Sequence, residues 1–324
     1  MKRRTITLRT GRLGAMGYAL IIAGLATGGL LQGYRAHADA TQAALRGTAT
    51  VYRGIPADQV EQLTSPARIM SVVAQASDPS HVGAPSAIWQ ALEHGEKVDC
   101  LDCIPAVENL LYSDSSQNRE IGAWWLRRRI FGVFGPGQAY ERVTTTLKTN
   151  ADPVLRARAA EALGEFLESA GAAPLSAALV GDADAKVRAA AARGLDRLNS
   201  PGVNGELAHA LTDTDASVRL AALTAATHVH GFSDIASVAR LLGDQSSALV
   251  RRHAAAAVGA MRARDAVPAL IAVLTQDTDP VARAEAAHSL GLIGDASAKD
   301  ALRAAEQDSD GFVRDAALIA QRRL

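Results

Sequence analysis

The sequence predicts an all-α chain, a right-handed α-solenoid of stacked two-helix repeats. Three observations carry this. Six arginines, Arg156, Arg188, Arg219, Arg251, Arg283 and Arg314, recur at intervals of 32, 31, 32, 32 and 31 residues, and a fixed period of that size marks a solenoid. Each follows an aliphatic or small residue (Leu155, Val187, Val218, Val250, Ala282, Val313) and a short acidic turn, so the repeating object is a whole structural unit. Aromatic residues make up only 4% of a chain that is 48% hydrophobic. That balance suits alanine-rich helices in close contact.

Taken from the N-terminus, the first 38 residues stand apart. Lys2, Arg3, Arg4, Arg9 and Arg12 precede an apolar stretch from Leu13 to Leu31, and Ala36-His37-Ala38 follows. This is the layout of a secretory signal, with cleavage expected after Ala38. The stretch is 19 residues long, near the minimum for spanning a bilayer, so an uncleaved N-terminal anchor is the alternative. Glycines at 14, 17, 24 and 28 keep it mildly hydrophobic, which favours cleavage. The formal charge of the chain is zero, but this segment holds six basic residues and no acidic one; without it, 28 basic face 34 acidic residues, a net of −6. A mildly acidic mature chain argues against nucleic acid as a partner, because such binding uses basic patches to displace counterions.

Residues 39–85 read as a linker and an irregular helical lead-in, with turns at Asp78-Pro79 and Gly83-Ala84-Pro85. Regular repeats, about seven of them, are expected over residues 86–324. The unit around residue 280 shows the template. Pro268 opens a first helix that runs through Leu274, Asp277-Thr278-Asp279-Pro280 turns the chain, and a second helix runs from Val281 to Gly291 and Gly294. Proline suits the first helical turn, where its missing amide has no partner to lose. Aspartate caps the second helix and glycine ends it in a left-handed conformation.

The segments Asp182-Ala183-Asp184 with Val187-Arg188-Ala189-Ala190-Ala191, and Asp213-Thr214-Asp215 with Val218-Arg219-Leu220-Ala221-Ala222, carry a family resemblance, as do those at Asp277 and Asp308. The chain from Ser86 to Leu324 resembles the HEAT-like repeats grouped with phycobilisome lyases, a short-repeat branch of the HEAT and armadillo solenoids. The resemblance implies the fold. It says little of function, because the shared residues are packing and turn residues. The recurrent arginine is read in the same way, as ion pairs and carbonyl contacts between neighbouring units, with an anion-lined groove as the alternative.

Specific chemistry is expected where the rhythm breaks. The gap from Arg119 to Arg156 is 37 residues, and it holds Trp124, Trp125, Arg127, Arg128 and Arg129. Aligning Arg119 with the repeating arginine places Trp124 in a column with Glu161, Arg193, Thr224, Ala256, His288 and Ile319. So varied a column reads as an exposed, concave-side position, and a tryptophan beside three arginines there is a candidate docking site for an acidic or amphipathic partner. Cys100 and Cys103 are the only cysteines. Ile104 stands where haem attachment would need histidine, so a local disulfide is expected, with dithiol redox chemistry as the alternative.

No cofactor or metal site is expected. The helical-repeat enzyme that hydroxylates deoxyhypusine holds two irons on repeated His-Glu dipeptides, and this chain has none. Neither a glycine-rich phosphate loop nor a serine nucleophile motif occurs. The sequence therefore leads to an expectation of an exported, non-catalytic, monomeric scaffold that binds a protein partner in the periplasm or cell envelope and touches the membrane only through an N-terminal anchor. A chromophore-lyase-like or otherwise enzyme-associated repeat protein is the alternative, followed by a CxxC redox protein.

Overall fold

The computed structural model describes residues 51–52, 55–56, 66–76, 92, 101–130 and 137–324. The N-terminal basic and apolar segment, Cys100 and the stretch after Ile130 lie outside them. Val51–Tyr52 (β1) and Ile55–Pro56 (β2) pair as a two-residue antiparallel ladder, Val51 opposite Pro56. All other regular structure among the described residues is helical. Pro66–Ala76 (α1) precedes seven helix pairs: Ile104–Leu110 and Ser116–Ile130 (α2, α3), Gln138–Thr149 and Pro153–Glu165 (α4, α5), Ala172–Gly181 and Ala185–Leu198 (α6, α7), Asn204–Ala210 and Ala216–His228 (α8, α9), Ile235–Arg240 and Ala248–Ala260 (α10, α11), Val267–Gln276 and Pro280–Ile293 (α12, α13), and Lys299–Ala305 and Gly311–Gln321 (α14, α15). The chain is an α-solenoid. Among the described residues no helix is long and apolar enough to cross a membrane.

Local chemistry sets the element boundaries. Asp152, Asp184, Asp215, Ser247, Asp279 and Asp310 cap the second helices of successive pairs, each accepting a backbone amide hydrogen bond two or three residues on. Those caps satisfy donors that a helix start otherwise leaves orphaned. Asn199 and Gly294 close α7 and α13 in the left-handed region, with φ of 45° and 69°.

Burial follows the repeat. The residue before five of the six ladder arginines (Val187, Val218, Val250, Ala282, Val313) and the leucine seven after three of them (Leu163, Leu195, Leu290) are fully buried. Between successive second helices the chain uses small residues so that backbones approach closely. A methyl group added at Gly164 would lie 2.6 Å from the Cα of Gly194, and one at Gly291 would lie 2.8 Å from that of Ala320. Packing this tight has no room for a side chain.

Candidate functional site

Each ladder arginine sits in the first turn of a second helix, and all but the last, Arg314, work in two directions. Backward, Nη1 of Arg188 donates to the carbonyls of Asp182 (2.9 Å) and Ala183 (3.1 Å), and Arg156, Arg219, Arg283 and Arg314 reach the equivalent carbonyl six residues back. Forward, the guanidinium meets the first aspartate of the next unit's turn. Arg156 donates to Asp182 at 2.8 and 2.9 Å, Arg188 to Asp213 at 2.7 and 2.9 Å, Arg251 to Asp277 at 2.6 and 2.7 Å, and Arg283 to Asp308 at 2.8 and 2.8 Å. Nε of Arg219 lies 2.8 Å from Asp244, while its Nη2 donates to Ser246. The same aspartates accept the amide two residues on, as Asp182 does from Asp184 at 2.9 Å. One carboxylate thus closes its own turn and clamps the preceding unit.

The electrostatics follow from that geometry. Hydrogen bonding to Arg156 holds the Asp182 carboxyl below the usual carboxylate range although burial works the other way, and Arg251 and Arg283 do the same for Asp277 and Asp308. The partner arginines are pushed up, first by the same hydrogen bonds. At Asp213 burial is the larger influence and opposes ionisation, yet Arg188 and the Asp215 amide together bring the carboxyl down.

The joint after α3 differs. Asn150 occupies the station of the clamping aspartate: its Oδ1 accepts the amide of Asp152 at 2.9 Å, and its carbonyl accepts from Arg156 at 2.9 Å. It brings no charge. Arg119, which keeps the backward bonds to Ser113 and Asp114, directs Nε instead to Glu161 on α5, 3.1 Å away.

Arg119 and Glu161 line a groove of about 870 Å3 that crosses α3, α5, α7, α9 and α11. Ion pairs run across its floor from helix to helix. Arg193 of α7 lies 3.6 Å from Glu161, Arg197 pairs with Glu165, and Arg158 bonds Tyr112 and Asp114 on the preceding unit. Toward α9 and α11 the lining turns uncharged, with Leu220, Thr224 and Leu249 beside His253. Exposed apolar residues continue at the start of the next second helices, Val281 half-exposed and Phe312 81% exposed.

Several expectations need correction here. Trp125 is fully buried, six residues after Arg119, where later units carry Ala162, Gly194 and Ala225. That position faces inward between units, so a tryptophan there fills volume. Trp125 is therefore no surface anchor. Trp124 is half-buried and packs against the core. Arg127 is partly exposed; the side chains of Arg128 and Arg129 lie outside the described residues. Cys103 is buried at the start of α2; the disulfide expected between it and Cys100 lies outside the described residues with Cys100. Sequence reasoning put Glu161 and Arg193 in the exposed column with Trp124 but assigned them no role, and it passed over Asn150. The signal for Asn150 was present as the single neutral residue at the clamping station between Arg119 and Arg156.

Among the described residues no group of three or more His, Cys, Asp or Glu side chains is placed to hold a metal ion. His253, Glu285 and His288 do not form one.

The HEAT repeats family matches residues 172–248 and 235–321. Deoxyhypusine hydroxylase of Gallus gallus is 39% identical over 108 residues, 33% of this chain and 36% of that protein. The chain thus matches about a third of the length of this curated relative. Among solved structures, E. coli YibA is 14% identical with a TM-score of 0.53, over 82% of this chain and 96% of that one. Human deoxyhypusine hydroxylase is 22% identical with a TM-score of 0.35, over 82% and 98%. The similarity to an enzyme overturns the expectation of a non-catalytic scaffold. That expectation rested on missing motifs, the His-Glu dipeptide among them, and the packing residues that define these repeats say nothing of catalysis either way. The helix pairs and arginine–aspartate joints agree with the family match, and residues 172–321 of this chain are HEAT-like repeats.

Proposed function

We infer that this chain is an enzyme-associated HEAT-repeat protein whose groove holds a polypeptide segment for a side-chain-modifying activity. The observation that carries this is the groove itself. Its floor is built from positions that change from unit to unit (Glu161, Arg193 and Thr224 in one column, Arg158, Ala221 and His253 in another), while the packing columns are mostly small or aliphatic residues. A surface that varies on a scaffold that does not is the usual basis of recognition in solenoids. The Gallus gallus relative, a hydroxylase by name, supports an enzymatic setting.

A photo-crosslinking residue at Thr224 tests the reading. In cells we expect it to trap a polypeptide whose side chain carries a mass shift, and the shift should disappear in Leu220→Arg. An unmodified catch, or the same shift with and without the chain, overturns it. On the basic and apolar N-terminal pattern we also place the protein in the periplasm or at the inner membrane. Terminal sequencing of the mature chain should then begin at Asp39; a chain retained whole in the cytoplasm contradicts the placement.

A further inference from the structure

We propose that the pair Arg119 and Arg193 forms a carboxylate-binding site in the groove, that Glu161 occupies it in the free protein, and that an acidic side chain of a bound polypeptide takes its place. This rests on the reading of the groove as the polypeptide-binding face and adds the chemistry of what is bound there.

Arg119 is the only ladder arginine between Arg119 and Arg283 whose forward carboxylate is missing, because Asn150 replaces it. Its guanidinium is thereby turned from the joint into the groove. There Glu161 stands between two cations from two different helices, 3.1 Å from Arg119 on α3 and 3.6 Å from Arg193 on α7. Arg193 is half-exposed and makes no closer ion pair among the described residues. A resident carboxylate between two guanidinium groups marks a site of carboxylate size and charge.

The occupant is a polypeptide and not a polyanion such as nucleic acid. Arg119, Arg158, Arg193 and Arg197 in the groove are matched by Glu120, Glu161, Glu165 and Asp196. A balanced lining lacks the positive surplus that repeated phosphates require. The uncharged half around Leu220 and Leu249 suits the apolar side chains of a peptide.

Binding of a fluorescein-labelled peptide with one glutamate among leucine and serine residues (the glutamate peptide) by the full chain, read as fluorescence polarisation at low salt, tests the site. Glu161→Gln removes the resident carboxylate and should tighten binding about fivefold, while Arg193→Gln should weaken it about fivefold, each near 1 kcal/mol. Asn150→Asp should restore the forward clamp, withdraw Arg119 from the groove and weaken binding by a similar factor, with a thermal midpoint no lower than the parent's. Binding that is absent or equal in parent, Glu161→Gln and Arg193→Gln overturns the proposal. So does the same peptide with lysine in place of glutamate, or single-stranded DNA, binding more tightly than the glutamate peptide. If crosslinking at Thr224 still traps a modified polypeptide while the glutamate-peptide series is flat, the acidic specificity fails and the functional reading stands.

Discussion

Asp277 accepts two hydrogen bonds from Arg251, at 2.6 and 2.7 Å, across the boundary between two helix pairs, and the aspartate side chain is only 4% exposed. The same oxygen that meets Nη2 also receives the amide of Asp279. Nearest-neighbour coupling in this solenoid therefore has a polar component repeated at every joint from Arg156 to Asp308.

Replacing Asp277 by Asn separates the two tasks, since Asn150 shows that asparagine can hold the turn. We expect Asp277→Asn and Arg251→Met each to cost about 2 kcal/mol, between the values for exposed and fully buried pairs. The double variant should cost less than the two losses combined. Urea denaturation of all four proteins measures this, and strictly additive losses would show that the pair does not couple.

The joints also set the acid limit. Asp182, Asp277 and Asp308 have lower carboxyl pKa values folded than unfolded. Their contribution is fully present above the unfolded value of about 3.9 and disappears as pH falls through the folded values. The urea midpoint should hold steady from neutral pH to about 5 and decline below about 4. A midpoint that rises on acidification would contradict this.

Leu167 follows α5 with φ of 53°, at the station where α13 ends on Gly294. A branched side chain is strained in that region, and this one is 52% exposed, so little burial offsets the strain. Leu167→Gly should raise stability by about 1 kcal/mol, seen as a higher thermal midpoint. A lower midpoint would mean that the side chain has a packing role.

Gly164→Ala should do the opposite. The new methyl would sit 2.6 Å from the Gly194 backbone, and overpacking of this kind costs about 2 kcal/mol. Gly205 on α8 faces open space; Gly205→Ala should be neutral or slightly stabilising. Equal effects at the two positions would argue against close approach of α5 and α7.

Much of the fold was legible because its signals are local. The arginine period, the aspartate caps and the glycine at 294 each report on a few consecutive residues, and their recurrence multiplies the signal. The tryptophans were misjudged for a related reason. Trp124 and Trp125 are neighbours in sequence but fall on adjacent helix faces, and a rotation of about 100° per residue separates a half-buried position from a core one. Composition marked that segment as unusual without saying which ring faced inward.

By itself, then, the sequence determined the unit: its length, its caps, its buried columns and the station of each arginine. Which aspartate each arginine clamps, and that Arg119 turns to Glu161 because Asn150 is neutral, was decided only by the stacking of one unit on the next. Such partners are 25 or more residues apart, at 42 for Arg119 and Glu161. No local propensity encodes that choice; it follows from which side chains the packed helices bring within hydrogen-bonding reach.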